Sequence, residues 1–249
     1  MHISLTGEGK LQHRKQRQFA LLLLATILGS TFLVFSLPAS VSAAAEKGCH
    51  STIATSTTLT SDIGPCKGNA IIIGASHIVL NCAGHTITGN GSGNGIALKG
   101  YGFVTVENCN VIGFANGFYI FGMTGSNNNT LKSNTANGNQ YGFYLKRTGG
   151  NKLSGNTANG NSNTGIYLYR AQSDALTGNT ANSNGNSGFQ FGSGSTHNTV
   201  TSNTANSNSQ YGYWAESGRN SKTNTFSSNE CSSNLVGGSD PTGLCIPQP

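Results

Sequence analysis

The tetrapeptide Asn-Thr-Ala-Asn occurs four times, beginning at Asn134, Asn156, Asn179 and Asn203, at steps of 22, 23 and 24 residues. So regular a beat marks a stacked repeat, in which each period is one structural unit that buries its apolar face only against its neighbours. Other positions keep the same beat. Apolar residues recur at Leu80, Val106, Leu131, Leu153, Leu176, Val200 and Phe226. Asparagine follows three places later at Asn134, Asn156, Asn179, Asn203 and Asn229, with Cys109 at the equivalent place after Val106. A second asparagine column runs Asn129, Asn151, Asn198 and Asn224, with Asp174 as its one exception. A third runs Asn139, Asn161, Asn184, Asn208 and Asn234.

A glycine opens the next segment of each period, at Gly95, Gly117, Gly142, Gly165, Gly188 and Gly212. Short alternating runs follow these glycines, from Ile96-Ala-Leu98 to Tyr213-Trp-Ala215, with Ile71-Ile-Ile73 as an earlier member. Alternation over three residues is a short strand with two side chains inward and one outward. A period of 22 to 26 residues holds three such strands and three turns, and no segment shows a helical apolar face. If each period is one coil, coils stack about 4.8 Å apart and identical positions become columns. Large aliphatic members fill the interior, contributing roughly 1.5–3 kcal/mol each. Ala136, Ala158, Ala181 and Ala205 suit a narrow corner, closed by Val111 and Cys231. Asparagine suits the turns, where it takes left-handed backbone angles and bonds to the coils above and below. A disordered Asn/Gly tract, the rival reading of 30 Asn and 35 Gly, would not hold apolar residues in register.

These residues resemble a known group. The pattern G-[IF]-x-L followed by N-x-L-x-x-N is similar to the repeat of the right-handed parallel β-helix found in pectin-lyase-like proteins and in the NosD-like, "periplasmic copper-binding" family. The segments Leu59–Cys66 and Ile78–Gly89 resemble the first coils of secreted NosD-like proteins. The resemblance implies an all-β chain: a single-stranded right-handed parallel β-helix, or solenoid, of about seven to eight coils. The expected organisation is a signal peptide at 1–43, an N-terminal cap at 44–70, the β-helix at 71–235 and a C-terminal tail at 236–249. The fold hosts lyases, hydrolases, epimerases and non-catalytic binders alike, so it does not choose among them. The copper label does not carry over: copper sites gather Met, Cys or His, whereas Met123 stands alone and His50, His77, His85 and His197 are scattered. No metal and no cofactor is expected.

The head of the chain has the three parts of a secretory signal: a basic stretch with Arg14, Lys15 and Arg17, an apolar run from Phe19 to Leu37, and small residues up to a cleavage site at Val41-Ser-Ala43. An uncleaved anchor is the alternative, because the run is about long enough to span. After cleavage no membrane segment remains, and the net charge falls from +6 to +3. With no cluster of basic residues and interleaved aromatics, nucleic acid is not an expected partner. Six cysteines behind a secretory signal favour disulfides, with 15 connectivities open to them. Position pairs Cys49–Cys66, Cys82–Cys109 and Cys231–Cys245, with free buried thiols as the alternative for the middle pair.

The outward residue of each alternating strand forms its own column: Ala97, Tyr119, Tyr144, Tyr167, Gln190 and Trp214. The next outward position gives Phe121, Lys146, Tyr169, Gly192 and Glu216, and Arg147 and Arg170 edge the strip. Aromatic faces stack on sugar rings while their polar tips stay wet, so Tyr119, Tyr144, Tyr167, Tyr169, Trp214, Lys146 and Arg170 are the expected carbohydrate-binding residues. The competing reading is that such columns simply stabilise a sheet face. Catalysis has thinner support. Only 9% of the chain is charged, and glycoside hydrolysis needs two carboxylates at a set separation. Stacking places Asp174, Arg147 and His197 in the turn after the aromatic strand, which makes them the candidates for a polysaccharide lyase or hydrolase acting on uronate-containing glycans. The plainer reading, preferred over catalysis, is that Asp174 substitutes for a ladder asparagine and accepts similar bonds, and that Glu216 with Arg219 is a surface pair. The leading expectation is a secreted, non-catalytic binder of polysaccharide or cell-surface glycan, or a structural protein of the cell surface. A scaffold that assembles through the edge of its last coil ranks below both.

Overall fold

The computed structural model describes residues 48–122, 128–216 and 223–246. The leader, Met123 and Arg219 lie outside the described residues. Every strand pairing is parallel, and successive strands in a sheet come from successive coils. The chain is thus a right-handed β-solenoid of about 7 turns. Among the described residues one sheet has nine strands, a second has eight and a third has four. Leu80, Val106, Leu131, Leu153, Leu176, Val200 and Phe226 align residue for residue in the second sheet. The alternating runs align likewise in the first.

The stack is longer than residues 71–235. Ser51–Ile53 pairs with Ile71–Ile73, so the expected cap is itself a coil. Gly237–Asp240 pairs with Tyr211–Trp214, and Ile246 bridges Glu230, so the expected tail continues the coil. All three disulfides join the cysteines that position pairs, at Cys49–Cys66, Cys82–Cys109 and Cys231–Cys245. Cys82–Cys109 occupies the two places in the ladder that precede Asn134, a covalent rung where amide rungs begin.

The third side narrows from strands to single-residue bridges at Thr135, Thr157, Thr180 and Thr204. Ladder asparagines flank it on both sides, which leaves only Thr-Ala-Asn between two turns. The alanine column is small because the glycine column packs against it. A Cβ on Gly142 would lie 2.9 Å from Ala158 Cβ and 2.5 Å from the Gly165 carbonyl oxygen. Inside, rings stack along the axis: Phe118 on Phe143 at 4.6 Å and Phe189 on Tyr213 at 4.8 Å between centroids.

Each ladder asparagine works in two directions. The Nδ2 of Asn179 donates to the Leu153 carbonyl and to Asn203 Oδ1, both at 2.9 Å, while its Oδ1 accepts from the backbone N–H and Nδ2 of Asn156. The ladder thereby satisfies turn groups that the coil buries. One expectation is corrected. The left-handed backbone does not fall on the ladder asparagines but on the residue before each. Ser133, Gly155, Gly178, Ser202 and Ser228 precede the first column; Gly138, Gly160, Ser183, Ser207 and Ser233 precede the third. The preceding residue turns the chain so that the asparagine side chain points inward, where its amide finds the neighbouring coil.

Candidate functional site

The first sheet positions the outward columns. Pairing of Tyr119 with Tyr144, and of Tyr144 with Tyr167, puts three phenols on consecutive coils. Gln190 and Trp214 continue the column. Lys99, Phe121, Lys146 and Tyr169 form the second column beside it. Lys99 is a member that the sequence reading did not single out, although the same register that yields Phe121 and Lys146 extends to it.

The rings are not laid flat for a ligand. Tyr144 and Tyr167 stack on one another at 4.9 Å and 14°, and Tyr141 leans on both at 5.5 and 5.8 Å. Their faces cover each other, the Tyr167 hydroxyl lies over Gly192, and the Tyr141 hydroxyl accepts from Asn163 Nδ2. Tyr119 and Tyr169 are tilted by 57° and 50° from their neighbours and break the stack. The strip therefore presents packed rings along its middle and inclined rings at Tyr119 and Tyr169. Burial among the rings raises the phenol pKa of Tyr119, Tyr144 and Tyr167, so all three are protonated donors at neutral pH. Gly192, on the next coil, makes room for the strip: a Cβ there would sit 3.0 Å from the Tyr167 hydroxyl and 3.3 Å from the Tyr169 ring.

Cations line the N-terminal half. Lys99 Nζ lies 5.7 Å from the Tyr119 ring centre, Lys146 Nζ 5.9 Å from that of Tyr144, and the Arg170 guanidinium 5.4 Å from that of Tyr169. Arg147 and Arg170 are exposed and directly follow the strand residues Lys146 and Tyr169. Both take left-handed backbone angles, in the column begun by Gly100. Together they border a shallow depression of about 620 Å³, with Asn128, Gln172 and Ser173 on its other sides. Among the described residues, the ion pairs are His85 with Asp62 and Lys132 with Glu107, neither of them on this face. Among the described residues, the acids near this face are Glu216, which follows the last strip strand and acts on the Tyr167 phenol, and Asp240, which pairs with Trp214. Asp240 belongs to the stretch expected as a tail, which is why the sequence reading did not place it on the strip.

The three catalytic candidates sit differently. Asp174 is 1% exposed inside the second asparagine column. Its Oδ1 accepts from the backbone and Nδ2 of Asn151, both at 2.8 Å, and its own N–H donates to Asn198 Oδ1. Its Oδ2 is buried and has no partner among the described residues. Burial pushes this carboxyl up to about 7, against the two bonds from Asn151. Arg147 faces the depression, and His197 is the exposed left-handed residue that turns the chain into Asn198. No hydrogen bond or ion pair joins Asp174 to either of them.

A solenoid of parallel strands with asparagine ladders, disulfides at both ends and an aromatic strip on its first sheet defines a parallel β-helix protein of the pectin-lyase-like kind. The family model described as "Periplasmic copper-binding protein (NosD)" matches residues 29–243, and the chain belongs to this NosD family. Two solved structures share the fold, both from Azotobacter vinelandii. The A-module of the mannuronan C-5 epimerase AlgE6 is 14% identical, with a TM-score of 0.59, over 78% of this chain and 58% of the other. The A-module of AlgE4 is 14% identical, with a TM-score of 0.50, over 78% of this chain and 56% of the other. The chain thus spans somewhat over half the length of these modules. No curated protein sequence matches it significantly.

The family description invites a test for copper. All six cysteines are in disulfides, so none offers a thiolate. His85 is bonded through Nδ1 to Asp62, and among the described residues no three His, Cys, Asp or Glu converge. This donor set does not fit a copper ion.

Proposed function

We propose that this protein is an extracytoplasmic, non-catalytic polysaccharide binder whose ligand lies along the outer face of the first sheet. The observation that carries the reading is the run of half-buried Tyr119, Tyr144 and Tyr167 on consecutive coils, flanked by Tyr169 and by cations that form no ion pair among the described residues. A chain polymer suits it, because the surface repeats at the coil spacing of about 4.8 Å instead of closing into one deep pocket. The inclined rings of Tyr119 and Tyr169, with Trp214 two coils on from Tyr167, supply apolar faces. One observation favours binding over bond cleavage: Asp174 is buried and enclosed by its ladder partners. The disulfides, and membership of a family described as periplasmic, support a location outside the cytoplasm.

The test is a glycan array or polysaccharide pull-down with the wild type and with Tyr144→Ala/Tyr167→Ala. Binding is expected to fall at least tenfold in the double variant, with the fold checked by circular dichroism. Binding that survives the double substitution in a folded protein would overturn the role of the strip. Release of new reducing ends, or of unsaturated products, from a bound polymer would overturn the non-catalytic reading.

A further inference from the structure

We infer that the Arg147/Arg170 depression is an anion subsite, and that the polymer held by the strip is a polyanion whose carboxylate or sulfate groups dock there. This rests on the polysaccharide-binding reading of the same face and names the ligand class within it. Arg147 N–H donates to the Tyr169 carbonyl, immediately before Arg170, so the two arginines occupy one column on consecutive coils. Their backbones are therefore about 4.8 Å apart. Two exposed arginines on adjacent rungs concentrate positive charge at this edge of the sheet, and among the described residues no carboxylate forms an ion pair with either. The arrangement presents two planar donor forks, the geometry that grips a carboxylate or sulfate in bidentate fashion.

The neighbouring coil is cut away to expose them. Gly194 takes a left-handed angle, and a Cβ there would lie 3.1 Å from Arg170 Cγ, so its absence frees the path of the arginine stem. On the floor, Gly149 allows its coil to approach the Gln172 carbonyl, which a Cβ would meet at 2.5 Å. Uncharged polar residues, Asn128, Gln172 and Ser173, complete the rim, so nothing in the lining opposes a negative ligand. Lys146 and Lys99 carry positive charge from the rim onto the tyrosines. Glu216, which acts on Tyr167, and Asp240, which pairs with Trp214, reverse the sign towards the C-terminal end, so a polyanion is drawn to the arginine edge and the N-terminal half of the strip.

The test measures binding of the full chain to polygalacturonate, to the same polymer fully methyl-esterified, to dextran sulfate and to neutral xylan, by calorimetry at low and high salt. Arg147→Gln/Arg170→Gln is the variant, with Lys132→Gln, remote from the face, as a control for lost charge. Tighter binding of polygalacturonate or dextran sulfate than of the neutral polymers, weakened at least tenfold in the arginine variant and unchanged in Lys132→Gln, is the expected result. The stronger of the two anionic probes identifies the group as carboxylate or sulfate. Binding of both polygalacturonate and dextran sulfate no tighter than that of the neutral polymers, or equal loss in Lys132→Gln, overturns the subsite. Wild-type binding to xylan alone, lost in Tyr144→Ala/Tyr167→Ala but kept in the arginine variant, also overturns it and leaves the strip standing. No binding of any polymer overturns both.

Discussion

Asp174 is the one acid in a column of amides, and the ladder around it fixes what replacing it will do. One coil further on, Asn198 Nδ2 donates to the Ala171 carbonyl, and Asn224 Nδ2 donates to the Ser195 carbonyl. Both accepting carbonyls lie three residues before the preceding ladder position, which makes Thr148 the equivalent residue below Asp174. Where those asparagines carry a donor, Asp174 carries Oδ2, buried and unpartnered among the described residues. The ionised carboxylate is therefore disfavoured in the folded chain, and burial raises its pKa to about 7 from an ordinary 3.8. The sign follows from proton binding. Between about pH 4 and 7 the folded chain holds a proton that the unfolded chain has released, so stability falls as pH rises across that window and is level above it. At about 1.4 kcal/mol per pH unit, the loss by pH 8 comes to about 4 kcal/mol. Asp174→Asn has no proton to lose and restores a donor. It should match the wild type near pH 4 and melt higher near pH 8, by about 10 °C at roughly 2–4 °C per kcal/mol for a chain of this size. Thermal melts of both proteins from pH 4 to 8, followed by circular dichroism, make the comparison, because every other titrating group cancels in the difference. A gap that stays the same at pH 4 and pH 8, or an Asn variant that melts lower at pH 8, would refute the account of the ladder.

The converse substitution, Asn179→Asp, should destabilise by about 2–4 kcal/mol and more so at high pH, since it exchanges a donor bonded to Leu153 and Asn203 for a second oxygen; the same melts measure it. Tyr213→Phe should be neutral or stabilising by about 1 kcal/mol, because the Tyr213 hydroxyl is buried without a partner among the described residues while its ring stacks on Phe189; a urea titration checks it. Gly142→Val should cost several kcal/mol or prevent folding, as no room exists between the Gly165 carbonyl and Ala158 for a side chain; expression and melting report it. Cys231→Ala/Cys245→Ala removes a bridge spanning 14 residues, a loss of about 3 kcal/mol in the loop-entropy account, and hydrogen exchange should show the last coil opening first.

Most of the fold was legible because a solenoid writes its three-dimensional contacts as a one-dimensional period. Residues 22 to 26 apart in the chain touch, so the columns read along the sequence are the columns in space. What the period did not convey was where the stack stops. Among the described residues the first and last coils pair on one side only, and they carry Pro65 and Gly237-Gly238 where interior coils carry the consensus. Coils that depart from the pattern look like caps and tails in the sequence while pairing as ordinary rungs. The misplaced left-handed residues have a similar origin. Asparagine is the most conspicuous turn residue here, but the conformational work falls to the Ser or Gly ahead of it, whose identity varies from coil to coil.

The candidate site was legible as a list of residues and not as a surface. Alternation decides which side chains point outward, and register decides which of them are neighbours, so Tyr119, Tyr144, Tyr167, Tyr169 and Trp214 follow from the sequence. Ring orientation depends on what each side chain packs against. The glycine at position 192 opens space towards the next coil, Tyr141 enters from the adjoining position, and Tyr144 and Tyr167 settle face to face. Stacking that would have served a sugar serves the neighbouring ring instead. In the proposed binding mode, contact therefore shifts from the stacked ring faces towards the inclined rings of Tyr119 and Tyr169 and the arginine pair beside them. Charge is the part of such a site that a sequence column predicts best, because a cation on an exposed turn has no alternative use inside the coil. Lys146, Arg147 and Arg170 stand where the register put them and have no carboxylate ion partner among the described residues.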